Sequence, residues 1–339
     1  MSRIPSIVFA NLTCRFGNDY FLLDLATEVV LPAFTDSGLR RNFGPTSYFF
    51  LNVGIVDVEV AEGEDSQLTV YGRIVKDTIL TRSQVYSPES GLVADEESMP
   101  SAPSAFFALD LNNHKLVYLP ETAHAPSIAV FASTLQNFMR RKHTAFVRSL
   151  YEAAKLTDEP KTLESLFQQY PPPDVEATPM ASKGSIQEFL NSFAKLTHLE
   201  FRILNTNAEI QRQQTFRELR EMKDKLRAAK TKLVHDSKEG MDIEVAAEEI
   251  DASASAGNQA VVLAGTAADG TELRGSNDNF KLRVSATDVP EDPLARAVHL
   301  VREYFKQVVQ GRLRPDQSEA DSSKIAQLRE TLDGSIERG

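Results

Sequence analysis

The sequence predicts an α+β protein in two parts: an N-terminal, mostly antiparallel β domain with helices, and a second α+β domain containing a long charged helix. Three observations predict it. The first half is built from short runs rich in β-branched and aromatic residues, such as 48–60 and 105–119. Pro171, Pro172 and Pro173 then interrupt the chain, and three successive prolines favour a stiff extended connector over a helix. Beyond them, Leu219, Met222, Leu226, Ala229 and Leu233 recur at alternating spacings of three and four in a charge-dense run, which places them on one helical face. The implied boundaries are 1–157 for the first domain, 158–173 for the connector, 174–315 for the second domain and 316–339 for a polar, weakly helical tail.

In the first domain, 6–12 is a short β-like run and 48–60 a longer one. Residues 68–75 and 78–86 flank Lys76-Asp77 and are expected to pair as a hairpin, on a dipeptide outside the favoured turn types. The clearest hairpin is 105–119, with Asn112-Asn113 at its tip, because asparagine tolerates the left-handed conformation of a type I′ turn. In that register Asp110 faces Lys115. Phe107, Leu109, Leu116 and Tyr118 share one face, and Phe106, Ala108, Val117 and Leu119 make the other face apolar too. Such strands belong at the centre of a sheet covered on both sides. Pro126 and Ser127 precede a helix carrying Ile128, Phe131, Leu135 and Phe138, and a second helical run passes through Phe146, Leu150 and Ala154.

In the second domain, strand 175–180, helix 185–196 and strand 198–204 lead into the long helix at about 206–239. The small-residue, acidic stretch 246–258 reads as a mobile loop. Residues 260–266 and 271–274 bracket an Asp269-Gly270 turn, and 280–286 is a further strand. Pro293 opens a helix with Leu294, Val298, Val301, Phe305 and Val308 inward, which Gly311 ends.

Composition narrows the function. The 339 residues are 42% hydrophobic and 25% charged, as in a globular protein, and Cys14 stands alone, so a reducing cytoplasm is the expected location. No apolar stretch has the length of a signal peptide or a membrane span, so no membrane insertion is expected. A net charge of −11 opposes a general polyanion-binding surface. The charge is uneven, however, and the long helix concentrates cations.

Arg220, Lys223, Lys225, Arg227, Lys230 and Lys232, with Arg140, Arg141 and Lys142 as a second cluster, are the candidate contacts to nucleic-acid phosphates. Leu219, Met222, Leu226 and Leu233 are the candidate self-association seam, giving a homodimer. Asp110, His114, Glu121 and His124 group around the 105–119 hairpin and form the alternative site, a metal-dependent hydrolase, although their spacing matches no metal motif. Gly265, Gly270 and Gly275 read as turn glycines, since no Lys-Ser or Lys-Thr follows them. No catalytic residue, metal ligand set or cofactor is assigned, and the balance is against an enzyme.

Ala105-Phe106-Phe107-Ala108-Leu109-Asp110, followed by His114-Lys115-Leu116-Val117-Tyr118, begins a wider pattern. The apolar helix at 128–138, a strand–helix–strand unit around 185–204 and a hairpin within 265–284 complete it. This order of elements resembles the phage-exclusion and defence proteins of the lambda RexA type and, more distantly, the Kiwa defence protein KwaB. The resemblance implies a cytoplasmic, non-enzymatic, dimeric, DNA-associated bacterial protein of antiviral defence, with a further defence protein as a candidate partner. The other reading is a protein-interaction subunit of a defence complex that binds no nucleic acid.

Overall fold

The computed structural model describes residues 5–60, 65–156, 161–207, 209–210, 213–318 and 322–339. Parts of the expected connector (158–160), long helix (208, 211–212) and tail (319–321) lie outside them. The first sheet begins with β1 (Ser6–Phe16), β2 (Thr46–Val58), β3 (Gln67–Ser87), β4 (Gly91–Ser101), β5 (Ser104–Asp110) and β6 (Lys115–Pro120). Helix α1 (Ile128–Ala154) follows, and β7 (Pro173–Pro179) returns to pair with β1. The chain then builds a second layer from α2 (Lys183–Leu190), β8 (Lys195–Ile203), α3 (Gln214–Lys225), β9 (Thr231–Asp236), α4 (Ile243–Ala254), β10 (Gln259–Thr266) and β11 (Glu272–Ser276). It comes back to the first layer with β12 (Arg283–Ser285), α5 (Pro293–Val309), α6 (Ser322–Thr331) and β13 (Ile336–Arg338).

Among the described residues the first sheet has eleven strands, with the main path β12–β1–β6–β5–β3–β2–β13, and the second sheet runs β9–β8–β10–β11. The fold is α+β. Its second layer is an insertion between β7 and β12, both of which belong to the first sheet, rather than a domain that follows the first. The reason lies in the β5–β6 hairpin. Phe107, Leu109, Leu116 and Tyr118 pack under α1 with Phe131, Leu135 and Phe138, and Phe106, Ala108, Val117 and Leu119 face the other way. That second apolar face needs its own cover, and Val298, Val301 and Tyr304 of α5 supply it. Each such side chain removed from water contributes roughly 1.5–3 kcal/mol, so the chain's last third is drawn back onto its first.

Several elements differ from the sequence reading. Asp110 does face Lys115, but the hairpin tip spans four residues, and the left-handed residue is His114 at φ 56°. No turn forms at Lys76-Asp77: Lys76 pairs with Tyr48 and donates its N–H to Pro103 at 2.9 Å, so β3 runs on unbroken for 21 residues. The turn comes at 88–90, before Gly91 at φ 73°, and the far half of β3 pairs with β4. The two helical runs after Pro126 are one helix of 27 residues, whose first turn is capped by Ser127 accepting from Val130 N at 3.3 Å. The expected loop at 246–258 is largely helix α4. Asp242 caps it, and Ala246, Ala247, Ile250 and Ala254 are buried at helical spacing against the second sheet. The tail closes with β13, parallel to β2.

The largest correction concerns the long helix. Helix α3 covers 12 residues and stops at Lys225. Ala228 N donates to Lys223 O at 2.9 Å and Arg227 N to Asp224 O at 3.0 Å, the paired bonds of a Schellman end, with Arg227 at φ 51° where glycine usually stands. Residues 231–236 then pair with β8 as an edge strand. Tertiary pairing overrides helix propensity here, because β9 gains a full ladder and packs the half-buried Leu233 against the second core. Among the described residues no helix is long and apolar enough to cross a membrane.

Candidate functional site

The break after Lys225 folds the cationic run around a cleft instead of along a rod. The cleft, about 540 Å³, lies where the inserted layer meets the first. One wall is α1, through Ala129, Ala132, Ser133 and Gln136, and β7, through Asp174 to Thr178. The facing wall is the end of β8 with Arg202 to Asn205, Lys223 of α3, and the 229–232 segment leading into β9. Gln136 Oε1 accepts from Val175 N at 3.2 Å and so ties α1 to β7.

Alternation along β8 sends Leu199, Phe201 and Ile203 into the second core and His198, Glu200 and Arg202 to the opposite face. Glu200 accepts from Arg202 Nε at 2.8 Å and from Lys232 Nζ at 2.9 Å, and these two bonds hold its carboxyl below the usual range. The two cations are thereby fixed at the cleft mouth. Lys223 is buried and donates to Asn205 Oδ1 at 2.6 Å, and burial pulls its amine below the usual lysine range. The other end of Asn205 donates to Asp174 Oδ2 at 3.4 Å. Desolvation inside the cleft, and then Asp174, push Glu176 upward, while Lys223, Arg202 and Lys230 oppose the shift. Four charged side chains, Asp174, Lys223, Arg202 and Lys230, therefore act on Glu176.

Of the nine expected phosphate contacts, Lys223, Lys230 and Lys232 line this cleft. Arg140 is exposed one turn beyond Gln136 on the same face of α1. The others do not join them. Arg220 is buried and donates from Nε to Leu204 O at 3.1 Å. Lys225 and Arg227 are exposed at the helix end. Arg141 lies over the Phe138 ring at 6.0 Å, and Lys142 is paired with Asp36 at 2.6 Å. Arg202 and Arg41 were missed. Arg41 donates to Ser133 Oγ at 2.8 Å on the cleft wall. The period-two pattern of 198–203 was the available signal for Arg202, whereas nothing local marks Arg41.

The expected self-association seam does not exist as one face. Leu219 and Leu233 pack into the second core from a helix and a strand, while Met222 and Leu226 are exposed. The alternative hydrolase site is also divided. Asp110 and His114 sit at one end of β6, and Glu121 and His124 at the other, roughly 20 Å apart at the rise of a strand. Glu121 is bound by Arg73 at 3.0 Å and Arg296 at 2.5 Å. Among the described residues, no three of His, Cys, Asp and Glu group as metal ligands. Cys14 is fully buried, which raises its thiol far out of the reactive range.

The surface holds one more feature. Beyond Asp77, β3 and β4 leave the sheet as a two-stranded arm with no layer on either side among the described residues. Leu80, Met99, Tyr86 and Leu92 are exposed on one face, with Tyr86 72% and Leu92 70% accessible, and Ile79 and Val93 on the other. Comparison with protein-family models and with curated proteins finds no significant match.

Proposed function

We propose that this chain is a binding protein of bacterial phage defence, working in the cytoplasm, that holds the phosphate backbone of a nucleic acid in the cleft between its two layers. The observation that carries this reading is the convergence of Arg202, Lys223, Lys230 and Lys232 in one nucleotide-sized cleft of an otherwise acidic protein. The defence role rests on the resemblance of the element order read from the sequence to phage-exclusion proteins. Contacts of this type give weak, sequence-independent binding that falls with salt, by roughly 0.7 log units of affinity per log unit of salt for each phosphate held on a single strand.

Fluorescence anisotropy of labelled DNA and RNA at two salt concentrations tests it. Lys230→Glu with Arg140→Glu should reduce binding at least tenfold and flatten the salt dependence, because both side chains are exposed and the fold does not need them. An unchanged affinity removes the cleft from consideration.

The bare arm favours a second reading, in which protein contact is the main task. Self-association fits the free edge of β3 better than that of β4. Antiparallel self-pairing of β4 sets Asp95, Glu96 and Glu97 against their own copies, whereas pairing of β3 about Ser83 places Arg82 beside Gln84. Light scattering checks this: Tyr86→Ser with Leu92→Ser should leave a monomer, and an oligomer that persists rejects the arm as the interface.

A further inference from the structure

Edge pairing of β3 joins backbone to backbone and leaves the faces of the arm uncovered. On one of them Tyr86 stands opposite Leu92 and Leu80 opposite Met99, all four exposed. Bare apolar pairs of this kind mark an interface. The stretch 78–101 that carries them is acidic, with Arg82 against Glu89, Asp95, Glu96 and Glu97, a balance of −3. Arg82 is already engaged by Asp95 and Glu97. The surface that suits this face is apolar at its centre and cationic around it.

The described residues hold a matching surface at the end of α3. Met222 and Leu226 are exposed one turn apart, Leu226 at 71%, while Phe216, Arg220 and Lys223 turn the opposite side of the helix inward. Lys225, Arg227 and Lys230 are exposed beside Leu226. The other large apolar side chains exposed on described helices, Val245 and Val309, stand singly. We infer that the arm of one copy docks its apolar face on this helix end in a second copy of the chain. This rests on the protein-contact reading and names what covers the arm. Met222 and Leu226 lie about 6 Å apart at helical rise, and Tyr86 and Leu92 face each other at about 5 Å, so pair meets pair. A two-fold axis makes the contact twice, arm to helix and helix to arm, and closes a dimer. Elsewhere a chain of net charge −11 repels the acidic arm, which confines docking to the cationic helix end.

Light scattering on the full chain tests this by charge reversal. The unaltered protein is expected to be a dimer. Lys225→Glu with Arg227→Glu, and separately Glu89→Lys with Glu97→Lys, should each raise the dissociation constant at least tenfold, because like charges then meet at contact. All four side chains are exposed, and Asp95 remains to hold Arg82, so neither change disturbs the fold. Leu226→Ser should weaken the dimer as far without altering charge. Mixed in equal amounts, the two reversed variants should dimerise again. The basic arm of one then meets the acidic helix of the other, and the remaining arm and helix are native. A dimer indifferent to the helix reversal overturns the inference and leaves edge pairing of β3 standing. Reversed variants with native circular dichroism that stay monomeric when mixed also overturn it. An unaltered protein that is monomeric at every concentration overturns both.

Discussion

Replacing Arg227 by glycine distinguishes the observed architecture from a continuous helix by the sign of its effect. Arg227 stands at φ 51°, a region that costs a residue with a Cβ roughly 1–2 kcal/mol. The two bonds that close the helix, from Arg227 N and Ala228 N, involve the backbone alone. Glycine keeps both and removes the strain, while its freer unfolded chain takes back about 0.4–1 kcal/mol. The net expectation is a gain of about 0.5 kcal/mol. In an uninterrupted helix the same change costs about 1 kcal/mol. Urea unfolding followed by circular dichroism reads the difference: for a slope of about 3 kcal/mol/M, the midpoint should rise by about 0.2 M. Arg227→Ala retains the Cβ and should leave the midpoint where it is. A lower midpoint for glycine together with a higher one for alanine would refute the broken helix.

Two further predictions follow from buried and paired charges. Burial lowers His114 from 6.5 to about 3, so the unfolded chain takes up a proton that the folded one refuses, and stability falls as pH drops through that window. Burial raises Asp110 from 3.8 to about 6, so its contribution is full below pH 3.8 and is lost as pH rises through 6. The two oppose each other. Asp110→Asn should steepen the acid-side loss of stability and His114→Asn should reverse it, as urea midpoints between about pH 4 and 7 will record; parallel profiles in all three proteins reject the assignment. At the cleft mouth, Glu200→Gln frees Arg202 and Lys232 from their shared carboxylate and should tighten oligonucleotide binding several-fold, measured by anisotropy. Weaker binding would mean that Glu200 positions the two cations rather than neutralising them.

What the sequence disclosed depended on whether a residue's neighbours were local. The β5–β6 hairpin was readable to its register, since Asp110, Lys115 and the two alternating apolar rows lie within fifteen residues. Its need for cover on both faces was readable too. That the cover would be Val298, Val301 and Tyr304 was not, because nothing near 293 says which sheet that helix meets. Helix α3 was recognised and its end was not. The signal for a helix stop is glycine, and here an arginine accepts the left-handed conformation because β9 pairs with β8 just beyond. The apolar repeat was real at Leu219 and Leu233, but they reach the second core from different elements. Among the site residues, Lys223, Lys230 and Lys232 were named for the wrong geometry. Asp174, Glu176 and Arg202 carried no pattern that singled them out until the insertion brought β7 and β8 to the same cleft.

That insertion also bears on how an acidic protein would hold the polyanion proposed for it. The body contributes the carboxylates of β7 and the face of α1, and the inserted layer contributes Arg202, Lys223, Lys230 and Lys232, so a ligand bound in the cleft as proposed would touch both layers and stabilise their junction. At a hundredfold excess over its dissociation constant the ligand adds about 2.7 kcal/mol to folding stability. The net charge of −11 works against approach, but it does so over distances that salt screens within about 10 Å at 0.1 M. The cations of the cleft act at contact, where screening is weaker. Lowering the salt therefore strengthens the contacts and the long-range repulsion together. The measured salt slope should fall below the value that counting Arg202, Lys223, Lys230 and Lys232 gives, about 3 for four contacts on a single strand. A slope above that count would require further phosphate contacts outside the cleft, on the exposed Lys225 and Arg227 first.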